Sequence, residues 1–138
     1  MDTFTKRYII ALIAVAALVA GFWLFGGDPR VRELNDVLKK DTEITAYPFP
    51  FHVTSLENGV ATITSPRSAE FSVLKFIGLA WPDLEGMDGN RPEVIAAQKR
   101  LAKIQGKVAK TIKKQPGVKA IQWKLDRDWL EDRGIVFY

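Results

Sequence analysis

One stretch limits this chain more than any other: the uncharged apolar run Tyr8–Phe25, YIIALIAVAALVAGFWLF. As a helix its 18 residues span roughly 27 Å, about one hydrocarbon core, at 1.5 Å per residue. It is apolar all round, which suits lipid better than a half-buried face of a soluble domain. Lys6 and Arg7 precede it, with Tyr8 at one end and Phe22, Trp23 and Phe25 at the other, where interfacial aromatics belong. A cleaved signal peptide is the rival reading, with Ala14-Val15-Ala16 or Leu18-Val19-Ala20 before the cut. Either cut leaves Phe22–Phe25 in water, so the expectation is an uncleaved anchor over residues 1–27, embedded through 8–25. Ala16/Ala20 and Ala17/Gly21 have the small-residue spacing that lets helices pack closely in lipid, although apolar filler in an Ala-rich run gives the same pattern.

The short basic tail argues that the N-terminus stays in the cytoplasm, while Arg30, Arg32, Lys39 and Lys40 beyond the run argue the opposite. Those four are interleaved with acids, and long following domains cross regardless of charge. The expected place is therefore a bacterial inner membrane, single-pass, with residues 28–138 in the periplasm.

Residues 28–138 can hold one small domain. There is no Cys and one His, His52, which excludes disulfides, thiolate metal sites and multi-His sites. The net charge of +4 is unevenly spread. Residues 28–90 carry six basic against ten acidic side chains, and 91–115 carry eight basic against Glu93 alone. Such polarisation bears on association rather than on fold.

Pro29–Lys40 reads as a helix, with Asp28 as cap, Pro29 at its first position and Val31, Leu34, Val37 and Leu38 as its apolar stripe. YPFPF (47–51) stops it and continues extended. FHVTSLENGVATITS alternates on both sides of Asn58-Gly59, a hairpin signal, because a type I′ turn needs positive φ at both central residues. Strict alternation puts Phe51, Val53 and Ser55 on one face and His52, Thr54 and Leu56 on the other. A second helix is expected over Pro66–Ala80 with Ser65 as its cap. WPDLEGMDGNRP (81–92) reads as a loop. A third helix follows over Pro92–Gln115, with Val94, Ala97, Leu101, Ile104, Val108 and Ile112 at three- and four-residue spacing. VKAIQWKL then alternates as a third strand, with Trp123 facing inward beside Ile121 and Leu125, and GIVFY reads as a short edge strand. The fold class is α+β: a transmembrane helix, then α-β-β-α(-α)-β, a three-stranded sheet with helices packed on one face.

This order, with Leu34–Asp41, Val53–Glu70 and Gln115–Leu125 as the matching segments, resembles the BON domain, a small module of periplasmic and outer-membrane proteins. The resemblance implies the fold and phospholipid binding. The family has no catalytic residues, so it implies none here. The chain departs from the pattern in two places. Ser65-Pro66 stands where the family has a Gly after the second strand, and the crossover is longer.

The leading functional candidate is the basic helix. Lys99, Lys103, Lys107, Lys110 and Lys114 share a face opposite the apolar stripe, flanked by Arg100 and Lys113. A solvated face is the plain alternative, but ordinary surfaces mix signs. About four residues separate Phe25 from the first helix, a reach of roughly 14 Å that keeps the domain near the headgroups. The expected function is a non-enzymatic module whose basic helix contacts anionic phospholipid. The alternative is an accessory subunit docking a membrane protein partner. Nucleic acid is not expected, since no aromatic platform interleaves the cations. No cofactor is expected, and no catalytic, nucleotide or metal motif is present. Asp126 and Asp128 have cation-like spacing, but Arg127 and Arg133 neutralise them. With Trp129 they are read as a partner interface, matched to the basic helix of a neighbouring copy in a head-to-tail oligomer.

Overall fold

The computed structural model describes residues 2–21 and 28–137. The first helix, α1 (Thr3–Gly21), takes in Lys6 and Arg7 as well as the start of the apolar run. It spans about 28 Å, and among the described residues it is the one helix long and apolar enough to cross a membrane. None of its residues is buried. The expected aromatic belt of Phe22, Trp23 and Phe25 and the last residues of the expected anchor, 26–27, lie outside the described residues.

The domain begins as its capping signals dictate. In α2 (Pro29–Lys40), Asp28 accepts from the Arg30 N–H at 2.9 Å and Pro29 opens the first turn. Asp41 ends α2 and caps a short α3 (Thr42–Ala46), accepting from the Glu43 and Ile44 N–H groups at 3.0 and 3.1 Å. The YPFPF segment then alternates with period two. Tyr47, Phe49 and Phe51 are buried, while Pro48 and Pro50 are exposed. A residue before proline is held extended, so each proline turns the next aromatic inward.

Strands β1 (Val53–Glu57) and β2 (Val60–Ser65) form the expected hairpin, with Asn58 at φ 51° and Gly59 at φ 80°. The alternation within β1 is not strict. A bulge between Val53 and Ser55 shifts the register, so Ser55 pairs with Thr62 and Leu56 with Ala61. Leu56 therefore packs on the core side with Val53, opposite to its expected face. The second expected helix also begins late. Ser65 is buried, with its hydroxyl bonded to the Arg67 backbone and to Gln105, and so caps nothing. A tight turn closes between Ser68 and Phe71, and α4 (Val73–Ala80) starts only after Ser72 accepts from the Leu74 N–H at 3.2 Å. After a 3-10 turn at Pro82–Leu84, α5 (Pro92–Lys113) runs 22 residues.

Strand β3 (Ala120–Leu125) lies parallel to β2, with Ile63 opposite Trp123, giving the sheet order β1-β2-β3. A parallel neighbour needs a crossover, and α4 and α5 provide it. No strand forms over the described part of GIVFY, residues 134–137. Asp126 instead caps a short α6 (Arg127–Glu131), and Gly134 at φ 90° turns the chain so that the Ile135 N–H bonds back to the Leu130 carbonyl. Phe137 ends against Phe71.

One core unites α2 to α6 with Val53, Ala61 and Ile63 of the sheet. Aromatic rings fill one part of it: Phe49 against Phe51, Phe76 and Trp129, and Tyr47 against Phe51, Phe76 and Trp81. The two sheet edges differ. Along β1, the Asn35 side chain of α2 stands in for a neighbouring strand. It accepts from the Val53 N–H at 2.7 Å and donates to the Val53 carbonyl at 3.0 Å. On β3, the N–H groups of Ala120 and Asp126 donate inward to the carbonyls of Gly59 and Ser65. Backbone direction alternates along a strand, so the N–H and C=O groups of Ile121, Trp123 and Leu125 face away from β2.

Candidate basic surface on α5

The sequence of α5 builds two faces at once. Val94, Ala97, Leu101, Ile104, Gln105, Val108 and Ile112 are buried. At 100° per residue, Lys99, Lys103, Lys110 and Lys114 then fall within an arc of about 60° on the far side. All four, with Lys113, are exposed, and none has a carboxylate within salt-bridge distance among the described residues. Like charges along one face cost stability in water, so an unpaired row of this kind gains from an anionic counter-surface.

The two other cations expected on this face are engaged within the domain. Lys107 Nζ lies 2.5 Å from Glu43 Oε2 and 3.2 Å from Asp41 Oδ2, tying α5 to the α2–α3 corner. The hydrogen bond to Glu43 raises the Lys107 pKa, and the same bond holds the Glu43 carboxyl below its usual range. Slight burial pushes Asp41 up, but the Ile44 N–H and then Lys107 outweigh it, and its pKa is lowered. Arg100 leans off the lysine row, its guanidinium 5.8 Å from the Tyr47 ring centre and 5.6 Å from that of Trp81.

The acidic segment is divided in the same way. Asp126 is the α6 cap, accepting from the Trp129 N–H at 3.1 Å, while Asp128 is exposed. No group of three or more His, Cys, Asp or Glu suited to a metal occurs among the described residues. Trp129 is half-buried against Phe49 and Phe76 with the Arg133 guanidinium 3.8 Å from its ring centre, whereas Trp123 is 36% exposed. Trp123 does lie on the inward-turned side of β3, and its ring meets Phe51, but the strand is at the sheet edge and the helices cover it only partly.

Two grooves meet at Trp123. One, of about 450 Å³, runs between it and the small residues Ala102, Gly106 and Ala109 of α5. In its wall the Gln105 amide donates to Ser65 Oγ at 3.0 Å and accepts from Arg67 Nε at 2.8 Å. The other, of about 770 Å³, is lined by His52, Thr54, Thr64, Lys124 and Arg127 among others. His52 is exposed, with Nδ1 at 3.4 Å from both Thr64 Oγ1 and the Pro50 carbonyl. Across this groove Arg127 pairs with Glu70 at 2.7 Å.

Sequence reasoning did not find the Lys107 pairing, the Asn35 bridge or the exposure of Trp123. Asn35 stands in the helical stripe between Leu34 and Leu38, and a polar residue so placed was the one available signal. No family model, curated protein or solved structure matches this chain.

Proposed function

We propose that the chain is a single-pass membrane protein whose α+β domain is a non-enzymatic binding module, with the lysine face of α5 directed at anionic phospholipid headgroups. The observation that carries this reading is the row of five exposed lysines, Lys99, Lys103, Lys110, Lys113 and Lys114, with no carboxylate in salt-bridge range among the described residues, in a chain that also has a membrane-length helix. Each lysine near an anionic surface contributes about 1 kcal/mol at modest ionic strength, so several together need no specific pocket. Lys107 and Arg100 serve the fold instead. In this reading α1 is the anchor, the domain is periplasmic, and the BON-like order of elements supports the assignment.

Charge reversal is the test. Among the described residues every buried core residue lies between Leu34 and Leu130, so residues 28–138 retain that core. Wild-type 28–138 should sediment with phosphatidylglycerol vesicles. Replacing the five lysines by Glu should abolish this without changing the circular dichroism. Retained binding by a folded variant overturns the reading.

A second reading, an accessory subunit docked to a protein partner, is favoured by a separate observation: the outward-facing backbone of β3 beside exposed Trp123. Such an edge accepts an added strand. Co-purification of a defined partner in mild detergent, lost on Trp123→Ala and indifferent to the lysine changes, would select it.

A further inference from the structure

The tether and the charges converge at one end of the domain. Arg30, two residues after Asp28, donates from its guanidinium to the Pro116 carbonyl just past the end of α5, and it pairs with Glu33 at 2.7 Å. Further along, Lys107 of α5 meets Asp41 and Glu43 beyond the end of α2. These two contacts fix α2 antiparallel to the last turns of α5. The start of α2, where the chain arrives from α1, is therefore beside the end of α5. The hairpin turn joins them there, since Lys119 donates to the Gly59 carbonyl at 2.7 Å. This end carries Arg32, Lys113, Lys114 and Lys119, all exposed and without a carboxylate in salt-bridge range among the described residues. Its acids are Asp28, which caps α2, Glu33, held by Arg30, and Glu57. The opposite end of α5 is met by the 81–92 segment with Asp83, Glu85 and Asp88, about 33 Å away along the helix.

Seven residues lead from Gly21 to Asp28, so that junction lies within about 25 Å of the end of α1 in any conformation. Lys103 and Lys99 stand about 16 and 22 Å further up α5 than Lys114. Both distances exceed the Debye length of about 8 Å at physiological salt.

We infer that the domain meets its own membrane end-on: Arg32, Lys113, Lys114 and Lys119 form the contact with anionic phospholipid, and Lys99 and Lys103 stand clear of it. This rests on the lipid reading above for its ligand, anionic phospholipid, and narrows the contact from the whole lysine face of α5 to the end beside the tether. The acidic 81–92 segment is then held away from the anionic surface, so attraction and repulsion impose the same orientation.

The test uses the full-length chain in nanodiscs of phosphatidylcholine alone or rich in phosphatidylglycerol. Each lysine's rate of modification by a neutral amine-reactive ester is read by mass spectrometry. End-on contact predicts that Lys113, Lys114 and Lys119 react about fivefold more slowly in the anionic discs, and that high salt restores the rate. Lys99, Lys103 and Lys75 should react alike in both. Equal protection of Lys99 and Lys103 overturns the end-on geometry and keeps the lysine-face reading. No protection of any lysine overturns both.

Discussion

Tyr47 offers a quantitative check on the core. Its side chain is 6% exposed, and no group among the described residues lies in hydrogen-bonding range of its hydroxyl. Burial pushes its pKa up to about 12, against the partly opposing pull of Arg100 and Arg67. In the unfolded chain the phenol titrates near its ordinary value of about 10. Between those values the folded protein keeps a proton that the unfolded chain has released, so stability falls as pH rises. Two units at about 1.4 kcal/mol each amount to about 2.7 kcal/mol, of which about half is gone near pH 11. Tyr47→Phe removes that dependence. It also deletes a desolvated hydroxyl with no partner, so stability at neutral pH should be unchanged or higher by up to about 1 kcal/mol. The assay is urea unfolding of residues 28–138, followed by tryptophan fluorescence near pH 8 and near pH 11. The variant should lose about 1.4 kcal/mol less than wild type between the two. Identical pH dependence, or a neutral-pH loss above about 1 kcal/mol, would refute the reasoning by showing that the hydroxyl is solvated or bonded.

Three further outcomes follow from named contacts. Asn35→Ala strips the partners from the Val53 N–H and C=O on the β1 edge and should cost about 2 kcal/mol in urea unfolding; a loss below about 0.5 kcal/mol would mean that water replaces the amide without penalty. Gly59→Ala places a Cβ at φ 80° and 3.0 Å from Lys119 side-chain carbons, so it should cost about 1–2 kcal/mol; a neutral result would show the turn free to relax. Lys107→Gln tests the ion-pair corner through acid unfolding. The lowered Asp41 and Glu43 pKa values contribute stability above their unfolded values that is lost as pH falls through the folded ones. Removing Lys107 should therefore move the acid midpoint to higher pH, and superimposable acid curves would contradict the assignment. On the alkaline side the raised Lys107 pKa means that its contribution is complete below the unfolded value and fades as pH rises through the folded one.

Local signals in this chain translate directly into structure. Asp28-Pro29 opens α2, Asn58-Gly59 makes the hairpin with both φ values positive, and the three- and four-residue spacing of Val94 to Ile112 faces the core throughout. The misreadings arise where a long-range partner overrides a local rule. Ser65 has the chemistry of a cap, but Gln105, 40 residues away, takes its hydroxyl inward. Leu56 breaks its alternation because a bulge inserts Thr54, which no propensity scale marks. Trp123 alternates correctly yet stays exposed, because position at a sheet edge depends on strand order and not on strand sequence. The candidate surface divides similarly. The lysine row is periodic and therefore visible in sequence, whereas the loss of Lys107 to Glu43 depends on a contact 64 residues apart. Which end of α5 faces the tether depends on Arg30 and Pro116, 86 residues apart.

The most direct measurement is the partition of residues 28–138 between solution and vesicles, neutral or phosphatidylglycerol-rich, at low and at physiological salt. The account predicts binding that requires the anionic lipid and weakens as salt rises, because only charge near the surface drives it. Equal partition into neutral vesicles, or none into either, would contradict it.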